Sequence, residues 1–224
     1  MGFSLPATGL VRTGEERATL VRRTYTLVFV SILVTMVGAT YALSNAALMQ
    51  TVARHPFLSM LCVFIPLLAA QGARTRFPLN IAMVMLFTFA MGVMTAPALY
   101  VYNARQPGII TQAATLTVGA FGILTLYAFI SRRDFSAWGS FLIVGLWVLI
   151  GTSLLNMFFY NATADLWIAS VTVLLFSGLL IFDTWRLRNV YGPDDYVTAA
   201  VQIYLDLLNM FLAILRLLGG GRRN

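Results

Sequence analysis

Charged residues are scarce in this 224-residue chain, and lysine is absent altogether. Only 10% of the residues are charged, whereas 59% are hydrophobic, and the mean hydropathy is +0.83. A soluble domain typically has about 45–50% apolar and about 25% charged residues. One soluble core of this size cannot bury the apolar excess, so much of it must face lipid. This composition leaves no room for a separate soluble domain.

Cysteine and histidine occur once each, as Cys62 and His55. A single cysteine excludes a disulfide framework, and its position inside an apolar run favours a buried, unreactive side chain. His55 lies in a predicted loop, which disfavours nucleophilic serine chemistry. We therefore expect a protein that is not an enzyme and holds no tightly bound cofactor.

Apolar runs predict six membrane crossings and a seventh, weaker one, since a spanning helix needs about 20 mostly apolar residues. The runs cover residues 24–46, 56–72, 78–102, 109–131, 135–159, 165–187 and 197–218. We therefore expect an all-α membrane protein with a transmembrane domain at residues 21–219. In this prediction residues 1–20 form a mobile cytoplasmic tail and residues 220–224 a C-terminal tail.

Arginine supplies all 15 basic residues and a formal net charge of +7. Because the arginines lie mainly in short connections, they predict contact with anionic lipid rather than nucleic acid. A cytoplasmic N-terminus puts ten of them on the cytoplasmic side and two, Arg54 and Arg105, on the other before the seventh segment is placed. The ten are Arg12, Arg17, Arg22, Arg23, Arg74, Arg76, Arg132, Arg133, Arg186 and Arg188. This bias predicts that orientation, and we expect the plasma or inner membrane rather than an organelle.

The sequence leaves open on which side of the membrane the C-terminus lies. A full seventh crossing puts Arg222 and Arg223 outside, which gives ten arginines against four. A re-entrant segment puts both inside, which gives twelve against two. The charge rule mildly favours re-entry, although the run at residues 197–218 is long enough to cross.

The seventh segment carries one narrow polar stripe. Gln202, Asp206, Asn209 and Arg216 share one face with Ala213, at spacings of four, three, four and three residues. All other faces are apolar, so we expect this helix at the centre of a bundle with its stripe toward an interior cavity. The alternative is an amphipathic helix lying on the membrane surface.

A second acidic residue, Asp183, lies near the end of the sixth segment. One interpretation is an ion pair with Arg186, which is three residues further along the helix. The other pairs Asp183 with Asp206, because a short turn makes the sixth and seventh helices antiparallel neighbours. Two carboxylates in contact cannot both be ionised cheaply, so they would share a proton that pins the two helices together. Deprotonation would let them repel and attract a cation, which predicts a proton-sensitive cation path.

The same residues resemble sequence motifs of the Bax-inhibitor-motif membrane family. The stretches at residues 203–211 (IYLDLLNMF) and 215–219 (LRLLG) resemble its last helix, and residues 181–184 (IFDT) resemble its sixth. Weaker matches occur at residues 88–92 (TFAMG) and 132–135 (RRDF). The resemblance covers about residues 20–219, which is effectively the whole transmembrane domain.

The resemblance implies a seven-helix bundle in which the other six helices surround the last one. It also implies a pH-sensitive calcium leak with Asp183 and Asp206 as the proton sensor. An arginine at the cytoplasmic end of the second helix, Arg74 or Arg76, would latch the closed state. Calcium would be the permeant ion, bound weakly and transiently by Asp183 and Asp206, since neither the second nor the fourth predicted helix carries an acid.

Three other functions remain open. A proton-coupled transporter could use the same carboxylate pair and polar stripe. An intramembrane aspartyl protease also needs two aspartates, but here the Pro97-Ala98-Leu99 tripeptide precedes both acids and no Gly-x-Gly precedes Asp206. A membrane scaffold is the third, although the sequence indicates no protein partner. We expect the protein to interact with the lipid bilayer, calcium and protons.

Overall fold

A computed structural model describes residues 14–73 and 76–220, which form eight α-helices and contain no β-strand. The helices are α1 (Gly14–Leu43), α2 (Ala46–Arg54), α3 (Pro56–Gly72), α4 (Leu79–Arg105), α5 (Ile109–Ile130), α6 (Trp138–Phe158), α7 (Ala162–Asn189) and α8 (Tyr196–Gly220). Six of them, all except α2 and α3, are long and apolar enough to cross a membrane. The predicted all-helical membrane character is confirmed.

The first helix begins earlier than its apolar run. α1 starts at Gly14, so the last seven residues of the predicted N-terminal tail are helical. Glu15 and Glu16 lie in its first turn, where negative charge interacts favourably with the helix dipole. The rest of the predicted tail, with Arg12, lies outside the described residues.

The region before α3 contains a short helix that the apolar pattern did not predict. Asn45 caps α2 by accepting a hydrogen bond from the Leu48 amide at 3.1 Å, and the helix ends at Arg54. Pro56 is the first residue of α3, and at this position a helix does not use the backbone N–H that proline lacks. α2 and the apolar part of α3 meet at a bend of 97°. The bounds of α3 coincide with the run predicted at residues 56–72.

α8 is the most buried of the six long helices. In the most apolar 18-residue stretch of α8, 61% of the residues are buried, against 11–39% in the corresponding stretches of the other five helices. It packs against α1, α3, α4, α5 and α7. This burial rules out the alternative of a surface-lying amphipathic helix. The expectation that all the other spans surround α8 needs correction, since among the described residues α6 packs on α7 and does not contact α8.

Two glycines allow α1 and α4 to approach closely. A Cβ atom added at Gly38 would collide with the Phe89 backbone, and one added at Gly92 would lie 2.8 Å from the Ala39 amide nitrogen. At this contact only glycine fits without a shift of a backbone. Nearby, the Tyr204 hydroxyl lies 2.6 Å from the Thr35 hydroxyl and thereby ties α8 to α1.

Candidate functional site

Asp183 of α7 and Asp206 of α8 meet inside the bundle. Their side chains lie within hydrogen-bonding range of each other, and only 6% and 4% of the two residues is exposed. Within residues 14–73 and 76–220, Asp206 Oδ2 is buried without a hydrogen-bond partner. A shared proton would relieve the repulsion between two such carboxylates and satisfy an otherwise unmatched acceptor. The structure therefore brings together the two acids that the sequence paired.

The competing interpretation of Asp183 also holds. Arg186 Nη1 lies 3.2 Å from Asp183 Oδ1, as their spacing of three residues on α7 allows. The Arg186 side chain is 29% exposed, whereas that of Asp183 is only 8% exposed. Asp183 therefore contacts an acid on its buried side and a cation on its more exposed side. The ion pair and the carboxyl pair are parts of one cluster.

Aromatic rings hold the Arg186 guanidinium in place. Its central carbon lies 4.7 Å from the ring centre of Tyr191 and 5.5 Å from that of Phe182. Such cation–π contacts strengthen as the site loses water. Tyr191 follows α7, and its hydroxyl donates a hydrogen bond to Gln202 Oε1 on α8. We call Asp183, Asp206, Arg186, Tyr191 and Gln202 the inner cluster.

Tyr191 was not predicted from the sequence, because the residue lies outside every predicted span. Burial, assisted by the nearby Asp183 charge, raises the pKa of Tyr191 above its ordinary value of 10.0. Its phenol therefore stays protonated and continues to donate to Gln202 throughout the neutral range. The sequence feature that could have indicated Tyr191 is its position, five residues after Arg186 in the turn between α7 and α8.

The polar stripe of α8 does not form one continuous polar surface. Asn209 Nδ2 donates to the Leu205 carbonyl of its own helix at 2.8 Å. Arg216, near the other end of α8, lies 3.6 Å from Asp165 Oδ1 on α7. Asn156 of α6 also donates to Asp165 Oδ1, at 3.4 Å. We call Arg216, Asp165 and Asn156 the outer cluster, and the mostly apolar stretch Leu207–Leu215 of α8 separates it from the inner cluster.

The arginines at the end of α3 differ in what the structure describes. Arg74, one of the two predicted latches, lies outside the described residues. Arg76 is exposed in the turn between α3 and α4, and its backbone amide donates to the Ala73 carbonyl at 2.7 Å. Gln71 accepts a hydrogen bond from Thr198, which brings the end of α3 to the start of α8. Within the described residues the ion pair of Asp183 is with Arg186, and a latch role for Arg74 or Arg76 stays a prediction.

Arg188 has a structural role near the inner cluster. It donates hydrogen bonds to the Phe129 carbonyl at 2.7 Å and to the Ser131 carbonyl at 3.0 Å. These oxygens belong to the end of α5, where backbone carbonyls lack helical partners. A basic side chain stabilises them and the helix dipole at this position.

The acidic side chains form no dense cation site in the described part of the chain. No group of three or more His, Cys, Asp or Glu side chains there could hold a metal ion. A calcium ion prefers about six to eight oxygen ligands. Asp183 and Asp206 could supply only some of them, which suits a passing cation better than a stored one.

Comparison with known proteins establishes the family. The model of the family described as inhibitor of apoptosis-promoting Bax1 matches residues 17–224. The chain belongs to the Bax inhibitor-1 family. This match confirms the resemblance, and it includes the residues of both clusters.

Relatives of this Bax inhibitor-1 family member occur in eukaryotes, in a virus and in bacteria. Protein lifeguard 4 of Mus musculus is 33% identical over 205 residues, which cover 90% of this chain and 85% of the relative. Bax inhibitor 1 of Schizosaccharomyces pombe is 33% identical over 208 residues, or 91% of this chain and 77% of the relative. The Golgi anti-apoptotic protein of vaccinia virus is 37% identical over 145 residues, which cover 65% of this chain and 60% of the relative.

Proposed function

We propose that this protein is a pH-sensitive cation leak channel, not an enzyme, with calcium as the permeant ion and the Asp183–Asp206 pair as its gate. The observation that carries the proposal is the contact between these two buried carboxyl groups on adjacent helices. An acid pair sheltered from lipid changes its net charge with pH, and that charge acts directly on the α7–α8 contact.

The gate works through repulsion and its relief. A shared proton holds α7 against α8, whereas loss of that proton leaves two negative charges that separate or take up a cation. Arg186 already supplies one cation to Asp183. It acts as a tethered counterion that competes with a free cation for the same carboxylate. The mechanism requires no tightly bound cofactor.

We further propose seven membrane crossings, with α3 as the additional one and α8 at the centre. α3 has 17 residues and a length of about 26 Å, near the lower limit for a spanning helix. If α3 crosses, ten arginines other than Arg216 lie on the N-terminal side and four on the other. If α3 returns to its starting side, the count becomes seven on each side, which removes the bias. The charge rule therefore favours a crossing α3 and a cytoplasmic N-terminus, in the plasma or inner membrane.

Calcium flux through the purified protein in liposomes, measured between about pH 6 and 8, tests the gate. Asp183→Asn and Asp206→Asn should each flatten the pH dependence, because an amide cannot share or release the proton. Asp134→Asn is the matched control, since that carboxylate is exposed in the turn before α6 and caps the Ser136 amide. If both test variants keep the pH profile of the parent, the proposed gate is wrong.

A proton-coupled transporter is the second candidate, because polar clusters lie near both ends of α8. The inner cluster contains the Arg186–Asp183 ion pair and the outer cluster the Arg216–Asp165 ion pair. Alternating access needs a closure at each end, whereas a leak needs only one. Liposomes with a proton gradient and equal calcium on both sides separate the two candidates. A transporter would accumulate calcium there, whereas a leak would produce no net movement once the electrical potential is clamped at zero.

A further inference from the structure

A cavity of about 750 Å³ opens between α1, the start of α4 and the α7–α8 turn. None of the inner-cluster residues lines it, so it is separate from the proposed gate. Its polar end contains Arg22 and Arg23 of α1 together with Asp194 and Tyr196. Its apolar wall is formed by Leu27, Val30, Ile81 and Met85.

The cavity runs from the level of lipid head groups into the level of acyl chains. Arg23 is the last charged residue of α1, and the twenty residues from Thr24 to Leu43 carry no charge. Twenty helical residues span about 30 Å, the thickness of the hydrocarbon core of a bilayer. Arg22 and Arg23 therefore mark the membrane boundary, and Val30 lies about 10 Å deeper along the helix.

The charge at the polar end favours an anion. Two arginines and one aspartate line the cavity, and neither arginine forms an ion pair within residues 14–73 and 76–220. The Arg23 guanidinium lies 5.8 Å from the centre of the Tyr196 ring, which holds it beside the α7–α8 turn. Glu15 and Glu16 line a neighbouring cavity of about 370 Å³, which also includes Arg23.

We propose that this cavity binds an anionic phospholipid, with its phosphate between Arg22 and Arg23 and one acyl chain along Leu27, Val30 and Met85. A binding volume of about 300–1,000 Å³ is typical of small-molecule sites, and this one is cationic at one end and apolar at the other. A free phosphate would use only the cationic end. The proposed topology places this site in the cytoplasmic leaflet, whereas the site itself depends on neither the topology nor the gate.

Native mass spectrometry of the full chain, titrated with phosphatidylglycerol, phosphatidylcholine or inorganic phosphate, tests the site. Phosphatidylglycerol should bind most tightly. Exchange of both arginines in Arg22→Gln/Arg23→Gln should lower its affinity about 25-fold, at about fivefold for each arginine near an anionic head group. Arg132→Gln/Arg133→Gln is the matched control, with the same change of charge on exposed neighbours in the α5–α6 connection, and should change affinity less than about twofold. Equal losses in the two double variants would overturn the proposal.

A third variant tests the apolar wall without changing any charge. Val30→Trp fills the deeper part of the cavity at a residue that is 37% exposed, so the helix can accept the larger side chain. It should lower phosphatidylglycerol affinity about tenfold and leave the binding of inorganic phosphate unchanged. An unchanged lipid affinity, or displacement of the lipid by an equal concentration of phosphate, would show that no acyl chain occupies the cavity. Because no flux is measured, failure here leaves the proposed gate unaffected.

Discussion

Arg186 lies on the more exposed side of the Asp183–Asp206 pair and contacts Asp183 there. Its guanidinium pairs with Asp183 and contacts the Tyr191 and Phe182 rings, so three neighbours fix it beside the proposed gate. In the proposed gate, this tethered cation would oppose the entry of a free cation by occupying the same carboxylate oxygen. The residue thus joins the two alternatives that the sequence left open, the surface ion pair and the carboxyl pair.

Arg186→Gln should therefore increase calcium leakage severalfold at constant pH, since it removes the competing charge and keeps a polar side chain at this position. Arg186→Lys should restore part of the restraint. Stopped-flow measurement of calcium release from liposomes gives the rates, and Arg133→Gln, an exposed arginine outside the cluster, is the control. Unchanged leakage in Arg186→Gln would contradict a counterion role.

Tyr191→Phe separates stability from pH sensing within the inner cluster. Removal of the hydroxyl leaves Gln202 Oε1 without its donor and should lower the free energy of unfolding by about 1–2 kcal/mol. Because burial raises the pKa of Tyr191, the phenol is neutral on both sides of pH 7. Its stabilising hydrogen bond is fully present below pH 10 and is lost only at higher, alkaline pH.

The pH profile of flux between pH 6 and 8 should therefore match that of the parent in Tyr191→Phe. Thermal unfolding in detergent measures the stability change, and the liposome assay measures the profile. A shifted pH profile with unchanged stability would mean that Tyr191, and not the acid pair alone, takes part in proton sensing.

The two acids could be predicted from the sequence, but the rest of their cluster could not. Asp183 and Asp206 were predictable because an acid inside an apolar run needs a partner and the connecting turn is short. The partners of Arg216 were not predictable. Asp165 is 51 positions away, and its contact with Arg216 depends on how α7 and α8 pack over their whole length. Helix packing also explains why the polar stripe of α8, which is continuous on a helical projection, has partners in two separate clusters.

Among the described helices, α1 and α4 make a contact at which an added Cβ atom would meet the backbone of the facing helix. Gly92→Ala should lower the free energy of unfolding by about 1–3 kcal/mol, because its methyl group would meet the backbone of α1 at Thr35 and Ala39. Gly119→Ala in α5 is the matched control, since a Cβ atom there meets nothing within 4 Å. It should be neutral or slightly stabilising, because alanine favours the helix more than glycine does.

Thermal unfolding of the two alanine variants in the same detergent gives this comparison directly. Equal stability would show that the α1–α4 contact can relax and does not require glycine. Gly119 and Gly122 meet open space, whereas Gly38 and Gly92 meet the backbone of a neighbouring helix, although all four lie inside apolar helices. The residue type and its helix propensity are the same at all these glycines, so only the packing of a neighbouring helix distinguishes them.

The bounds of the helices followed from apolar runs wherever connections were short. α3, α5 and α7 begin or end within a few residues of their predictions. The pattern failed at helical segments that are charged or short. The first turns of α1 carry charged residues, and α2 has only nine residues, too few to cross a membrane. The helix dipole favours the acidic start of α1, and the Asn45 cap stabilises the start of α2.

For the whole molecule, the number of crossings depends on α3. If α3 crosses, residue 54 at its start and residue 76 beyond its end lie on opposite sides of the membrane; if it returns, they lie on the same side. Arg54 and Arg76 are both exposed, so each can be replaced by cysteine in a Cys62→Ala background. An impermeant thiol reagent added to intact cells should label Arg54→Cys and leave Arg76→Cys unlabelled. α5 places residues 105 and 133 on opposite sides in either case, so only one of Arg105→Cys and Arg133→Cys should be labelled, as a check on the reagent. Equal labelling of residues 54 and 76 would reduce the bundle to six crossings.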